Sequence, residues 1–235
     1  MGSRLIFVPL RFIFLTLFLI IAGFVISLLF FGLVNVAFLK LGFNWRHAMM
    51  ILFATLVGSV INIPIKTIES ERPAVAMSYK RIFGNPNKVP IFDVKDIKTV
   101  VAANVGGAII PSMISFYLLF RIPSQLEYAI IGIFTVSLIT HILAKPVRGL
   151  GITVPAFIPP VTAAVCAITM KYIFGLPQGS VFVIAYVSGV LGTLIGADLT
   201  NLGLIGQLGA PVASIGGAGT FDGVFLSGVI AVLLS

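Results

Sequence analysis

Five stretches of this chain, residues 12–39, 47–65, 99–120, 128–144 and 149–170, run for 17 residues or more without a charged side chain. At ~1.5 Å per residue, each is long enough as a helix to cross most or all of a ~30 Å hydrocarbon core. From 172 to 235, 64 residues contain no Lys or Arg and only two acids, Asp198 and Asp222. That leaves room for two more crossings, joined by a short turn at Gly209-Ala210-Pro211. Charged residues make up 9% of the chain, against about a quarter in soluble domains. The chain therefore reads as an all-α integral membrane protein of about seven transmembrane helices, one domain over residues 1–235, whose surroundings are the lipid bilayer.

The same arithmetic removes several functions. One cysteine, Cys166 in an apolar run, supplies neither a disulfide framework nor a thiolate metal site, and no cofactor is expected. The net charge of +8 does not point to nucleic acid, because the basic residues are scattered over the loops between apolar runs, where they report topology. Eleven of them fall on one side: Arg4, Arg11, seven within residues 66–98, Lys145 and Arg148. Four fall on the other: Lys40, Arg46, Arg121 and Lys171. The positive-inside bias then puts the N-terminus and the charged 66–98 loop in the cytoplasm and the C-terminus outside. Within that loop, apolar residues flank Gly84-Asn-Pro-Asn87, a hairpin pattern, though a solvated linker is the simpler expectation.

Two motifs recur. Ala103-Asn-Val-Gly-Gly-Ala108 is echoed by Ala213-Ser-Ile-Gly-Gly-Ala218, and Gly58-Ser-Val-Ile61 by Gly192-Thr-Leu-Ile195. The hairpin of helices 2–3 thus resembles that of helices 6–7, a parallel internal repeat of the kind found in transporters; small residues that let helices approach closely give similar echoes. Gly106, Gly107 and Pro111 in the third run, Pro155 and Pro159 in the fifth, and Gly216 and Gly217 in the seventh are expected to break helices. In lipid, freed backbone groups are tolerated where they face protein or a wet cavity, so these breaks are expected to line a site.

The two aspartates are the strongest functional signal, since a carboxylate inside the membrane costs several kcal/mol on insertion scales and is usually functional. Each lies twelve residues from Ala210, so two helical arms would carry both to the same depth, ~18 Å from the turn. Such a pair can bind a cation or carry protons, helped by Asn62, Asn104, Thr193 and Asn201 as neutral ligands. It can also form an aspartic dyad that activates water. As structural roles, Asp198 would end a helix and Asp222 would satisfy amides freed by the glycine run. His141 is read as an interfacial residue, or as a proton relay if it faces the acids.

Gly219-Thr-Phe-Asp222-Gly-Val-Phe-Leu-Ser-Gly resembles the segment carrying the second catalytic aspartate of presenilin and signal-peptide-peptidase enzymes, and Pro155-Ala-Phe157 resembles their Pro-Ala-Leu element. Gly-Thr-Phe-Asp stands where those enzymes have Gly-x-Gly-Asp, and Pro155 precedes rather than follows both acids. Over nearly its whole length, notably at Asn104-Val-Gly-Gly-Ala-Ile-Ile-Pro111 and Gly192-Thr-Leu-Ile-Gly-Ala-Asp198, the chain is similar to a domain-of-unknown-function family of archaeal and bacterial polytopic membrane proteins. The first resemblance implies intramembrane proteolysis by Asp198 and Asp222; the second implies no activity. Cation- or proton-linked transport is the leading expectation, aspartic proteolysis the alternative, and a structural or assembly role the third.

Overall fold

The computed structural model describes residues 10–69, 77–82, 85–90, 98–147, 151–207, 212–217 and 223–235. In chain order these form α1 (Leu10–Lys40), α2 (Trp45–Gly58), β1 (Asn62–Glu69), β2 (Met77–Ile82), β3 (Asn85–Pro90), β4 (Lys98–Asn104) and, after a π-helical turn at Val105–Ile109, α3 (Ile110–Leu119). There follow α4 (Leu126–Leu143), β5 (Lys145–Val147), β6 (Gly151–Thr153), α5 (Ile158–Phe174) and α6 (Gln178–Thr193). A second π-helical turn, Leu194–Asp198, leads into 3-10 turns over Leu199–Gln207, then β7 (Val212–Ile215) and α7 (Gly223–Leu234). Helix dominates, as expected of an all-α chain. Among the described residues, three helical stretches, Phe12–Lys40, Pro123–Leu143 and Gln178–Ile205, are long and apolar enough to cross a membrane.

Three of the uncharged runs are not single helices, the run 149–170 opening with β6 before it enters α5. The run 47–65 stops being helical at Gly58 and enters β1, whose Ile63, Ile65, Thr67 and Ile68 favour extended backbone and whose Pro64 lacks an amide for a helix to use. The run 99–120 starts as β4, rich in Val and Thr, and turns helical only after Asn104. Pro159 lies in the first turn of α5, where the missing N–H has no intrahelical partner to lose, and Pro155 precedes that helix. Pro111 lies inside the continuous helical stretch Val105–Leu119, directly after its π turn, where the helix departs from regular α geometry.

β4 is the centre of a three-stranded sheet, antiparallel to β1 and parallel to β7. The β1–β4 register shifts between Pro64 and Lys66, where proline cannot donate to the ladder. β2 and β3 pair antiparallel, so the charged loop holds strands rather than a plain linker; residues 83 and 84 lie outside the described part.

α6 is the axis of the bundle, with nearly every face buried against α3, α4, α5 and α7. Tyr186 on α6 is fully buried, its ring 6.0 Å from that of Phe38 on α1. Of α1 only the last part, with Val34, Ala37 and Phe38, enters this core, with Phe30 and Phe31 partly buried against it; the apolar residues from Phe12 to Leu29 are largely exposed. Lys40 donates to the Val232 carbonyl (3.1 Å) and Arg121 to that of Leu41 (3.0 Å). Gln178 links Lys171 to the Ser235 carbonyl. Lys40, Arg121, Lys171 and the C-terminal residue thus share one end of the bundle, and the three-stranded sheet lies toward the other.

Candidate functional site

α2, α7 and the helix formed by the first π turn with α3 have 14, 12 and 15 residues. At ~1.5 Å per residue they stop about 18 to 22 Å from the Lys40–Arg121 end, short of a ~30 Å core. Beyond α2 the chain continues as β1, and the π turn before α3 is preceded by β4. Hydrogen bonding to one another and to β7 satisfies backbone groups that helix no longer pairs. Helix ends and strands meet here in one polar junction.

Asn104, 1% exposed, organises it. Its Oδ1 accepts from Gly107 N–H (2.7 Å), capping the first π turn, while its Nδ2 donates to the Ser59 carbonyl (2.7 Å) and to Asn62 Oδ1 (3.1 Å). Asn62 and Asn104 are directly paired across β1 and β4. Ser214 on β7 donates to the same Asn62 oxygen at 2.6 Å. Two residues on, Gly216 N–H donates to Asp198 Oδ2 at 2.8 Å. Gly216 has φ +81°, and a Cβ built on it would lie 2.7 Å from the backbone nitrogen of Ala108, so this turn nests against the first π turn as only glycine can. Asp198, which ends the second π turn, is half-buried, in a stretch with no Lys or Arg from 172 onward. Both π turns border this junction, and such turns are frequent at functional sites.

Of the residues expected to form a site, Asn62, Asn104, Gly106, Gly107, Asp198, Gly216 and Gly217 meet here. Asn201 lies one turn beyond Asp198 and spends its amide on the carbonyls of Gly196 (3.0 Å) and Ala197 (2.9 Å). Thr193 is elsewhere, buried in the α6–α7 interface and bonded to the Gly189 carbonyl and to Ser227 Oγ (3.1 Å). Pro111 follows the first π turn, Pro155 and Pro159 stand at the start of α5, and none makes these contacts. Asp222 and the turn Gly209–Pro211 lie outside the described residues. The equal-depth construction assumed two α-helical arms, but the arm after Asp198 is built of 3-10 turns. His141 Nδ1 lies 2.8 Å from Thr200 Oγ1, two residues past Asp198.

Ser214 and the Ser59 carbonyl were not among the expected residues. The echo contained the signal for Ser214: in Ala103-Asn104 and Ala213-Ser214 the polar positions correspond, and both donate to Asn62 Oδ1. The echoed segments are neighbouring parallel strands, with Val101 opposite Ala213 and Ala103 opposite Ile215, two residues out of step with the sequence correspondence.

No curated protein and no solved structure matches the chain. The family described as protein of unknown function DUF1614 matches residues 56–234, from the last turn of α2 through α7. That match takes in the whole polar junction and leaves out α1, and on its extent this chain is a member of the DUF1614 family.

Proposed function

We propose that this protein is a polytopic membrane protein of about seven crossings that moves a cation or protons through the junction around Asp198, with Asp222 as the second acid. The observation that carries the reading is the Asp198 carboxylate: it is half-buried where helices give way to strands, and it accepts from Gly216, two residues past the Ser214 that bonds Asn62. Oxygen-rich ligands with one or two carboxylates suit hard cations, and broken helices are how transporters offer carbonyls to an ion. A parallel repeat of helices 2–3 and 6–7 is supported by the side-by-side strands and their shared acceptor. The test is cation uptake into proteoliposomes driven by an ion or pH gradient, in wild type and in Asp198→Asn.

We also propose that the N-terminus and the 66–98 loop are cytoplasmic and the C-terminus lies outside. The eleven-to-four division of basic residues supports this, and Lys40, Arg121 and Lys171 lie at the same end of the bundle as Ser235, as that division requires. With Cys166 removed, single cysteines placed at Asn85 and Ser235 and labelled in intact cells should give a protected Asn85 and a reactive Ser235. The reverse pattern would invert the orientation.

A further inference from the structure

We propose that the cleft between the start of α2 and the end of α3 is a binding site for an anionic phospholipid, whose phosphate is held by His47 and Asn44 of its lining and by Arg121, which borders the lining at Gly42. The cleft has a volume of about 480 Å³ and lies at the Lys40–Arg121 end, away from the Asp198 junction.

Its lining changes character with depth. At the rim are Gly42, Asn44 and His47; one to two turns further along α2 are Met50 and Ile51. From Asn44 to Met50 the helix advances ~9 Å, so a polar mouth passes into an apolar wall over the length of a headgroup and the start of an acyl chain. Phe43 and Tyr117, rings 5.8 Å apart, shape the side, and Trp45 stands 61% exposed beside it, as aromatic residues do at a headgroup boundary.

No lining residue carries a fixed charge, and the cation beside the rim is Arg121. Arg121 is held in place by its bond to the Leu41 carbonyl and lies against Gly42, where a built Cβ would be 3.0 Å from Nη2. That single bond uses one of five guanidinium donors. Arg46 lies in the first turn of α2, whereas Lys40 is committed to the Val232 carbonyl; residues 1–68 and 97–126, the two segments that build the cleft, contain no Asp or Glu, and the acid at this end is Glu127 at the start of α4. A phosphate on an amphiphile matches both the Arg121 guanidinium beside the rim and the polarity gradient below it.

The full chain in detergent should melt several degrees higher with added short-chain phosphatidylglycerol than with phosphatidylcholine of the same chain length, while inorganic phosphate at equal concentration leaves Tm unchanged. Arg121→Gln and His47→Glu should each remove the phosphatidylglycerol increment, and Lys145→Gln at the opposite end should keep it. An acid in the first turn favours the helix dipole, so His47→Glu keeps α2 intact if Arg121→Gln folds poorly. Equal responses to the two lipids, or a full increment in His47→Glu, would overturn the site. A response to inorganic phosphate matching that to the lipid would overturn the lipid assignment in favour of a free-anion site.

Discussion

Gly106→Ala is expected to yield little folded protein. A Cβ at this position would lie 2.0 Å from the Thr55 carbonyl oxygen and 2.4 Å from the Ser59 amide nitrogen, both backbone atoms of the α2 C-terminus that no rotamer change can move aside. Gly58 faces it from α2, its own Cβ position 2.9 Å from the Gly106 nitrogen, so the two elements touch backbone to backbone. Accommodating one methyl means separating α2 from the first π turn and with it the Asn104–Ser59 bond. Overpacking alone costs about 1 to 3 kcal/mol, and the loss of a buried hydrogen bond adds to it. The control is Gly179→Ala in the first turn of α6, where nothing lies within 4 Å of the new methyl. It should melt at or slightly above the wild-type temperature, since alanine is the better helix former by up to about 1 kcal/mol. Size-exclusion profiles and thermal melts in detergent check both.

Asp198→Asn is expected to reduce uptake to the rate of empty liposomes while the protein stays monodisperse. Asparagine keeps an oxygen that can accept from Gly216 N–H, so the turn of β7 stays pinned; only the charge is lost. Asp198→Ala loses both and should also melt earlier, by an amount equivalent to about 1 to 3 kcal/mol for the unpaired amide. Asp222→Asn should fail in the same way if the two acids act as one unit, and the double substitution should then be no worse than either single one. Uptake unchanged in Asp198→Asn would make this carboxylate a structural pin.

The apolar, largely helical character of the chain was legible in its long uncharged runs, and Asp198 and the glycine runs stood out by local rules; the structure brings Asp198, Gly106 and Gly216 to one junction with Asn62 and Asn104. The three-stranded sheet was not legible. Its strands come from positions 62, 98 and 212, so its formation depends on pairing across the chain, and within an uncharged run β4 reads the same as a helix. Thr193 and Asn201 stand apart from the bonded group of Asn62, Asn104 and Ser214 for another reason: hydroxyl and amide side chains on helices satisfy themselves locally on preceding carbonyls, as Thr193 does on Gly189 and Asn201 on Gly196. Ser214 was overlooked because its significance lies in a correspondence, Asn104 with Ser214, visible only when the echo is laid on the fold.

Cation-dependent thermal stability tests the central claim most directly. A ligand that binds only the folded protein stabilises it by about 2.7 kcal/mol at a hundred times its Kd, and protons compete with a cation for the same carboxylates. Adding Na⁺ or another hard cation to wild type, at ionic strength held constant with a bulky organic cation, should raise Tm more at pH 8 than at pH 5. Asp198→Asn should lose the response at both. A Tm that ignores every cation at both pH values, or an ion response that survives intact in Asp198→Asn, would contradict a cation site built on this carboxylate.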